Sequence, residues 1–484
     1  VNVVVELRFG RQLCGALDDS STREWLVTDG LGGYATGTVA GLRTRRYHGL
    51  LVVSRRDLDD RRLALVALDP VLVLSDRRVR LATHEWSSGA VDPDGYLLLA
   101  SFALIDGVPR WRWQVGDVVL EREIAMVHGR PAVGVVHRLI RGDGPVQLEL
   151  EALCTWRDAH GTRTEATPIA MENLGDGAVI EGQYRMRGPG FSPAGQWYRE
   201  AFYREEAVRG LNKIEDLWHA GRFSAELLPG QVLEVEAWAD DFADPPPPAA
   251  EIVVAARRRA VAIAEQSRPS DDVDRLLAVA ADHHVVAGPR IVAGYPWFGQ
   301  WQRDTFASLE GLMLHTNRAD EAGALLWRFA ESLDDRDGWV GMSEATDADS
   351  LLWFVHALDR YVWMSGNFDM AASLEPQLRQ LVDGFARGGH AGVHLDDGGL
   401  LVADRPAVAL TWMDSSVGGT PVTRRPGAPV ELNALWVNAL AAVANISEKL
   451  HGDGTALRAM EATARESFRG SYSYARRLLD VVGG

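Results

Sequence analysis

Cysteine is nearly absent from this 484-residue chain; there are two, Cys14 and Cys154. Two thiols so far apart exclude a disulfide scaffold and a cysteine-rich zinc site, and suit free buried thiols in a reducing compartment. Lysine is scarce too: Lys213 and Lys449 stand alone, and the other basic residues are arginine, a bias of composition rather than of function. Positive charge is in deficit, 50 basic against 67 acidic residues, for a net charge of −17. A chain with that balance is a poor partner for nucleic acid or an anionic membrane surface, and neither is expected. No apolar run reads as long enough to span a membrane, and the start carries no signal-peptide pattern, so a cytoplasmic location is expected. There is no P-loop and no Gly-x-Ser-x-Gly. Gly30-Leu-Gly-Gly-Tyr34 is glycine-rich, yet it does not follow a strand and open a helix as a dinucleotide site requires. His48, His283 and His284 lack metal-ligand spacing, and no metal or organic cofactor is expected.

What is present changes character near residue 250. Before it, short runs alternate apolar and polar residues, among them Leu63–Leu68, Val71–Leu74, Trp111–Val115, Val118–Ile124 and Val146–Leu153. Asp92-Pro-Asp-Gly-Tyr96 and Arg141-Gly-Asp-Gly-Pro145 mark turns between them. Many short strands at even spacing imply an antiparallel β-sandwich. One helix is expected inside it, from Tyr198 to Leu217, because Tyr203, Ala207, Leu211, Ile214 and Leu217 recur at helical spacing. Asp244-Pro-Pro-Pro-Pro248 is stiff and extended and marks a boundary. The pattern beyond is helical, with candidates at 271–287, 303–316, 319–333, 347–364, 367–388, 431–450 and 453–470. The longest loop runs from 389 to 430. Short and long loops alternate, as in a toroid of paired helices with its functional loops at one end. The organisation expected is a sandwich over 1–245, a proline-rich boundary with a linking helix over 246–270, and a helical domain over 271–484.

Three clusters carry chemistry. In Ala293-Gly-Tyr-Pro-Trp-Phe-Gly-Gln-Trp-Gln-Arg-Asp-Thr305, four aromatics precede an Arg-Asp pair at a helix start. Aromatic faces take the apolar face of a sugar, and a fixed Arg/Asp pair takes its hydroxyls, which makes Trp297, Trp301, Arg303 and Asp304 candidates. Asp304 also suits the helix dipole, so capping stays open as an alternative. In Ser343-Glu-Ala-Thr-Asp-Ala-Asp-Ser-Leu-Leu-Trp-Phe354, the carboxylates Glu344, Asp347 and Asp349 crowd the start of an apolar helix. Such a setting raises a carboxyl pKa, as a general acid requires; plain N-capping by Thr346 or Asp347 is the alternative. Leu410-Thr-Trp-Met-Asp414 and Pro429-Val-Glu-Leu-Asn-Ala-Leu-Trp436 repeat the aromatic-plus-carboxylate theme and add Trp412, Asp414 and Glu431.

Together these motifs resemble the bacterial and archaeal type of glycogen debranching enzyme, the amylo-α-1,6-glucosidase family. Glu24-Trp-Leu-Val-Thr-Asp-Gly-Leu-Gly-Gly-Tyr34, running on to Thr44-Arg-Arg-Tyr-His-Gly-Leu-Leu51, is similar to the N-terminal signature of that family, and the three clusters are similar to its C-terminal ones. The resemblance implies a β-sandwich joined to an (α/α)6 toroid of glucoamylase type. It also implies hydrolysis of the α-1,6-linked glucose at a branch of glycogen or a similar glucan. By the same resemblance Trp301, Arg303 and Asp304 fall in the glucose pocket, Asp349 is the general acid, and Trp412, Asp414 and Glu431 line the site.

Gln300 and Gln302 depart from the family pattern, Phe-Gly-Asp-Trp-Gly-Arg-Asp, where an acid and a glycine are usual. Ala345-Thr-Asp-Ala-Asp349 departs from Tyr-Asn-Thr-x-Asp while keeping the acid. A toroid of twelve helices takes on the order of 350 residues, and the chain beyond Pro269 has room for about seven. The resemblance thus implies an incomplete toroid. An inverting glycosidase needs two carboxyl groups roughly 6.5–9.5 Å apart, and the general base is expected in a part not present, leaving this chain inactive alone. Two other readings fit the motifs: a glucoamylase- or trehalase-like α-glucosidase, and a glucan-binding protein without catalysis.

Overall fold

The computed structural model describes residues 6–334, 348–388, 392–403, 410–474 and 477–483. The chain divides into two compact units, Val1–Gly288 with Gly294–Gly299, and Pro289–Ala293 with Gln300–Gly484.

The first unit is an antiparallel β-sandwich. One nine-stranded sheet runs, edge to edge, through Glu6–Gly10, Leu99–Ile105, Val108–Val115, Val118–Met126, Ala132–Arg141, Val232–Trp238, Tyr184–Arg187, Gly177–Ile180 and Met171–Asn173. The other runs through Ser192–Phe202, Ile214–Leu227, Val146–Asp158, Arg61–Val73, Gly49–Ser54, Tyr34–Thr38 and Glu24–Thr28, with Arg78–Arg80 added beside Arg61–Val73. The period of two is plain in Val108–Val115. Trp111 and Trp113 point into the core, while Arg110 and Arg112 alternate outward and donate across the ladder to Glu123 and Glu121 at 2.8 and 2.7 Å. Cys14 and Cys154 are both buried free thiols.

The proline run ends where the helix Ala249–Gln266 begins, and that helix packs on the sheet through Ala249, Ile252 and Val253 against Val108, Ala125 and Val136. A Cβ at Gly134 would lie 2.9 Å from Ala249 Cα, so only glycine lets the helix come this close. The next helix, Asp272–His284, belongs to the same unit.

The second unit is helical, with small two-stranded ladders in its loops. Its helices are Gln302–Leu309, continued by a π-helical turn at Glu310–Leu314, then Ala319–Asp334, Ala348–Ser365, Phe368–Ala386, Val430–His451 and Thr455–Tyr472. Among the described residues these form an open part of an (α/α)6 arrangement. Phe306, Phe329 and Phe354, from three successive helices, meet with ring centres 4.6–5.3 Å apart. Ridges closed by such rings hold the first three helices together.

Three expectations need correction. No helix spans 198–217: the segment is the strand Ser192–Phe202, the short helix Arg204–Val208, and the start of the strand Ile214–Leu227. Leu211 and Ile214 lie open while Tyr203 and Leu217 are buried, so the apparent helical stripe is never buried as one face. Strand pairing, interrupted by two bulges, overrides the local spacing. Leu63–Leu68 and Val71–Leu74 are not two strands, since Arg61–Val73 runs through Pro70. Finally, one helix, Val430–His451, does reach the length and apolarity of a membrane span; 67% of its apolar window is buried, as in the core helix of a globular unit.

Candidate functional site

Trp301 occupies the N-cap of the helix Gln302–Leu309, in extended conformation, and Arg303 follows on the first turn. From there Arg303 reaches two carboxylates distant in sequence. Nε donates to Asp349 Oδ2 at 2.8 Å, and Nη1 donates to Asp414 Oδ2 at 3.0 Å. Charge-assisted bonds from two edges of one planar cation fix both carboxylates against each other. The side chains grade outward, Asp349 1% exposed, Arg303 12% and Asp414 32%, so the cluster opens at Asp414. Trp301 and Trp412, each two residues from a member, are 43% and 54% exposed. A buried carboxylate, a cation, a half-open carboxylate and exposed indoles can hold a hydroxyl-rich ring without requiring charge on it.

Local structure brings these residues to one place. Asp349 lies on the first turn of the helix Ala348–Ser365, and Ala348 N donates to Leu410 O at 3.2 Å. That bond ties the Asp349 helix to the loop bearing Trp412 and Asp414. The Phe306–Phe354 contact lies three residues beyond Arg303 and five beyond Asp349, and it clamps their helices together.

A second arginine extends the network. Arg425 pairs with both oxygens of Glu431 and both of Asp480, and its Nη1 donates to Thr411 Oγ1 at 3.1 Å. Bonding to Glu431, then to Asp480, pushes the Arg425 pKa further above its usual value. Glu431 is on the first turn of Val430–His451 without making a side-chain cap, so its partner is a cation and not the helix end. Asn433, fully buried two residues on, bonds Leu401 N and O, Pro429 O and Tyr472 Oη, and thereby fixes the start of this helix. Arg425 stands in the long loop, where no periodicity or motif singled it out.

The remaining candidates are placed as follows. Asp304 is exposed on the first turn of its helix and makes no side-chain cap. Trp297 belongs to the first unit, edge-on to Tyr47, with Arg45 and Arg209 over its ring at 5.1 and 5.4 Å. Arg61 holds its loop by donating to Phe298 O at 3.0 Å and Pro296 O at 3.4 Å. Glu344, Thr346 and Asp347 lie outside the described residues. Among the described residues, no group of three His, Cys, Asp or Glu side chains is placed to hold a metal ion.

Comparison with known proteins bears on both regions. Residues 23–234 match the family described as glycogen debranching enzyme N terminal, and residues 275–483 match the family described as amylo-alpha-1,6-glucosidase. A glycogen debranching enzyme of Saccharomyces cerevisiae is 25% identical over 228 residues, which cover 33% of this chain and 15% of that protein. The chain therefore matches well under two thirds of the length of that relative. Both regions, in this order, carry a family-level resemblance to the N-terminal and glucosidase domains of glycogen debranching enzymes.

Proposed function

We propose that the protein is a glycoside hydrolase that releases glucose from α-1,6 branch points of a glycogen-like glucan by an inverting acid/base route. The observation that most supports sugar binding is Arg303, bonded at once to buried Asp349 and half-open Asp414, with exposed Trp301 and Trp412 two residues away in sequence; the role of Asp349 as the acid rests on the resemblance of its motif. In this reading Trp301, Arg303, Asp304 and Asp414 grip the terminal glucose, Trp412 and Glu431 border it, and Asp349 delivers the proton to the glycosidic oxygen. Trp297 stiffens the preceding loop. The general base is assigned to no residue of this chain. Carboxylates alone suffice for such hydrolysis, so no metal or organic cofactor enters the reaction, and the buried free thiols suit action in the cytoplasm.

The test is glucose release from a branched limit dextrin, a maltooligosaccharide and trehalose, measured side by side on the full-length protein that carries this sequence. Preference for the limit dextrin, with release falling about 10²–10⁴-fold in Asp349→Asn, is the expected result. Preference for either of the other substrates overturns the substrate assignment. One observation favours a second reading, a glucan-binding protein without turnover: Asp349 is fixed by a cation, as a binding carboxylate would be. Dextrin binding that survives Asp349→Asn, with no release by either form, would establish that reading.

A further inference from the structure

One turn of helix carries both the Arg303 cluster and a separate cavity. Gln302, Thr305 and Phe306 are at i, i+3 and i+4 of the helix Gln302–Leu309 and share a face, with Arg303 about 100° round the same turn. That shared face opens on a cavity of about 180 Å³, lined also by Gln300 and by Arg328 and Phe329 of the helix Ala319–Asp334. Thr305 is 1% exposed, and its hydroxyl has no hydrogen-bond partner among the described residues. A buried hydroxyl left unpaired costs free energy, which a ligand group in the cavity would recover.

The lining defines the ligand. Two primary amides each offer donors and an acceptor, and the hydroxyl offers both. Arg328 adds a cation whose Nη2 already donates to Pro289 O. The lining contains no carboxylate. A free anion would use the donors but face the amide oxygens unfavourably, whereas a neutral polyhydroxylated ring satisfies donors and acceptors alike. Phe329, only partly buried, supplies the apolar surface that the C–H face of a pyranose covers, with Phe306 sealed behind it in the core.

We propose that this cavity is a second sugar site, taking a neutral glucosyl residue beside the one held at Arg303. The identity of the ligand rests on the glucan reading above; the existence of a separate site rests on the cavity. The test is calorimetric titration of the whole chain with maltotriose, with thermal melts to confirm that each variant is folded. Wild type is expected to show two sites. Thr305→Val, which keeps the side-chain shape, and Gln302→Ala are each expected to weaken one site roughly three- to tenfold and leave the other intact. Arg303→Ala is expected to remove the other.

Loss of all binding in Arg303→Ala, with Thr305→Val and Gln302→Ala titrating like wild type, overturns the second site and leaves the proposed function standing. The reverse pattern supports the cavity and overturns the Arg303 site. Absence of maltotriose binding to the wild type overturns both. Inorganic phosphate bound in place of maltotriose, and lost in Arg328→Ala, overturns the choice of a neutral sugar.

Discussion

Two arginines, one in each unit, put the same side chain to different uses. In the sandwich, Arg157 spends all five N–H groups: two on Glu215 and the others on the carbonyls of Arg46, Asp158 and Ala159. Glu215 also accepts from Tyr203 Oη and from Arg163 N, and the pair is sealed at 6% and 1% side-chain exposure. In the helical unit, Arg303 shares its charge between two carboxylates, one of them a third exposed, beside open indoles. A saturated, sealed pair organises a fold. A graded cluster that reaches the surface presents its outer carboxylate, Asp414, to a ligand.

The sharpest way to break that comparison is Arg157→Ala, which leaves Glu215 buried without its cation. A loss of about 3–5 kcal/mol is expected in urea denaturation followed by a signal from the sandwich. Glucan binding that falls without any change in stability would place Arg157 in a site after all. Next comes Phe306→Ala, which opens the aromatic contact behind Arg303. A loss of about 3–5 kcal/mol is expected in the helical unit, with weaker glucan binding as Arg303 and Asp349 drift apart.

Asp29 sharpens the comparison from the side of cost. It is fully buried in the turn between the strands Glu24–Thr28 and Tyr34–Thr38. Burial raises its pKa to about 6, although Leu31 N and Gly33 N donate to Oδ1 and pull the other way. Oδ2 has no partner. The unfolded carboxyl titrates near 4, so the folded state holds the proton more tightly between these values. The resulting stabilisation is complete below about pH 4 and is lost as pH rises through about 6. Asp29→Asn keeps the shape and both backbone bonds, and should flatten the profile, gaining up to about 3 kcal/mol over the wild type at pH 8. Parallel profiles for the two forms between pH 4 and 8 would contradict this. The smallest effect expected is that of Arg303→Lys, which keeps the charge and loses the planar fork. Glucan affinity should fall about tenfold with little change in melting temperature.

Much of this was legible in the sequence, for reasons that are local. The division into strands and helices follows from periods of two and about 3.6, and six helices of the second unit begin and end within a few residues of where their apolar spacing puts them. The segment 198–217 failed because five apolar residues at helical spacing say nothing of whether a common face is buried, and three of the region's apolar side chains are open to solvent. Arg425 was not legible, because a loop residue acquires its role only from partners that folding delivers. The motif 293–305 read as one aromatic cluster, yet the chain divides within it: Gly294–Gly299 belongs to the sandwich unit and Gln300 onward to the helical one.

By itself the sequence determined which side chains were available and on which kind of element each would sit, since backbone period and helix-start chemistry act over a few residues. It also carried the motifs that resemble those of glycogen debranching enzymes. Only the tertiary structure decided which carboxylates Arg303 would meet, at 46 and 111 residues' remove, and that Arg425 would join Thr411 to Glu431. Those pairings arise when apolar faces such as that of Phe306, Phe329 and Phe354 close. Burial then obliges each charge to find a partner, and packing rather than sequence distance determines which one it finds.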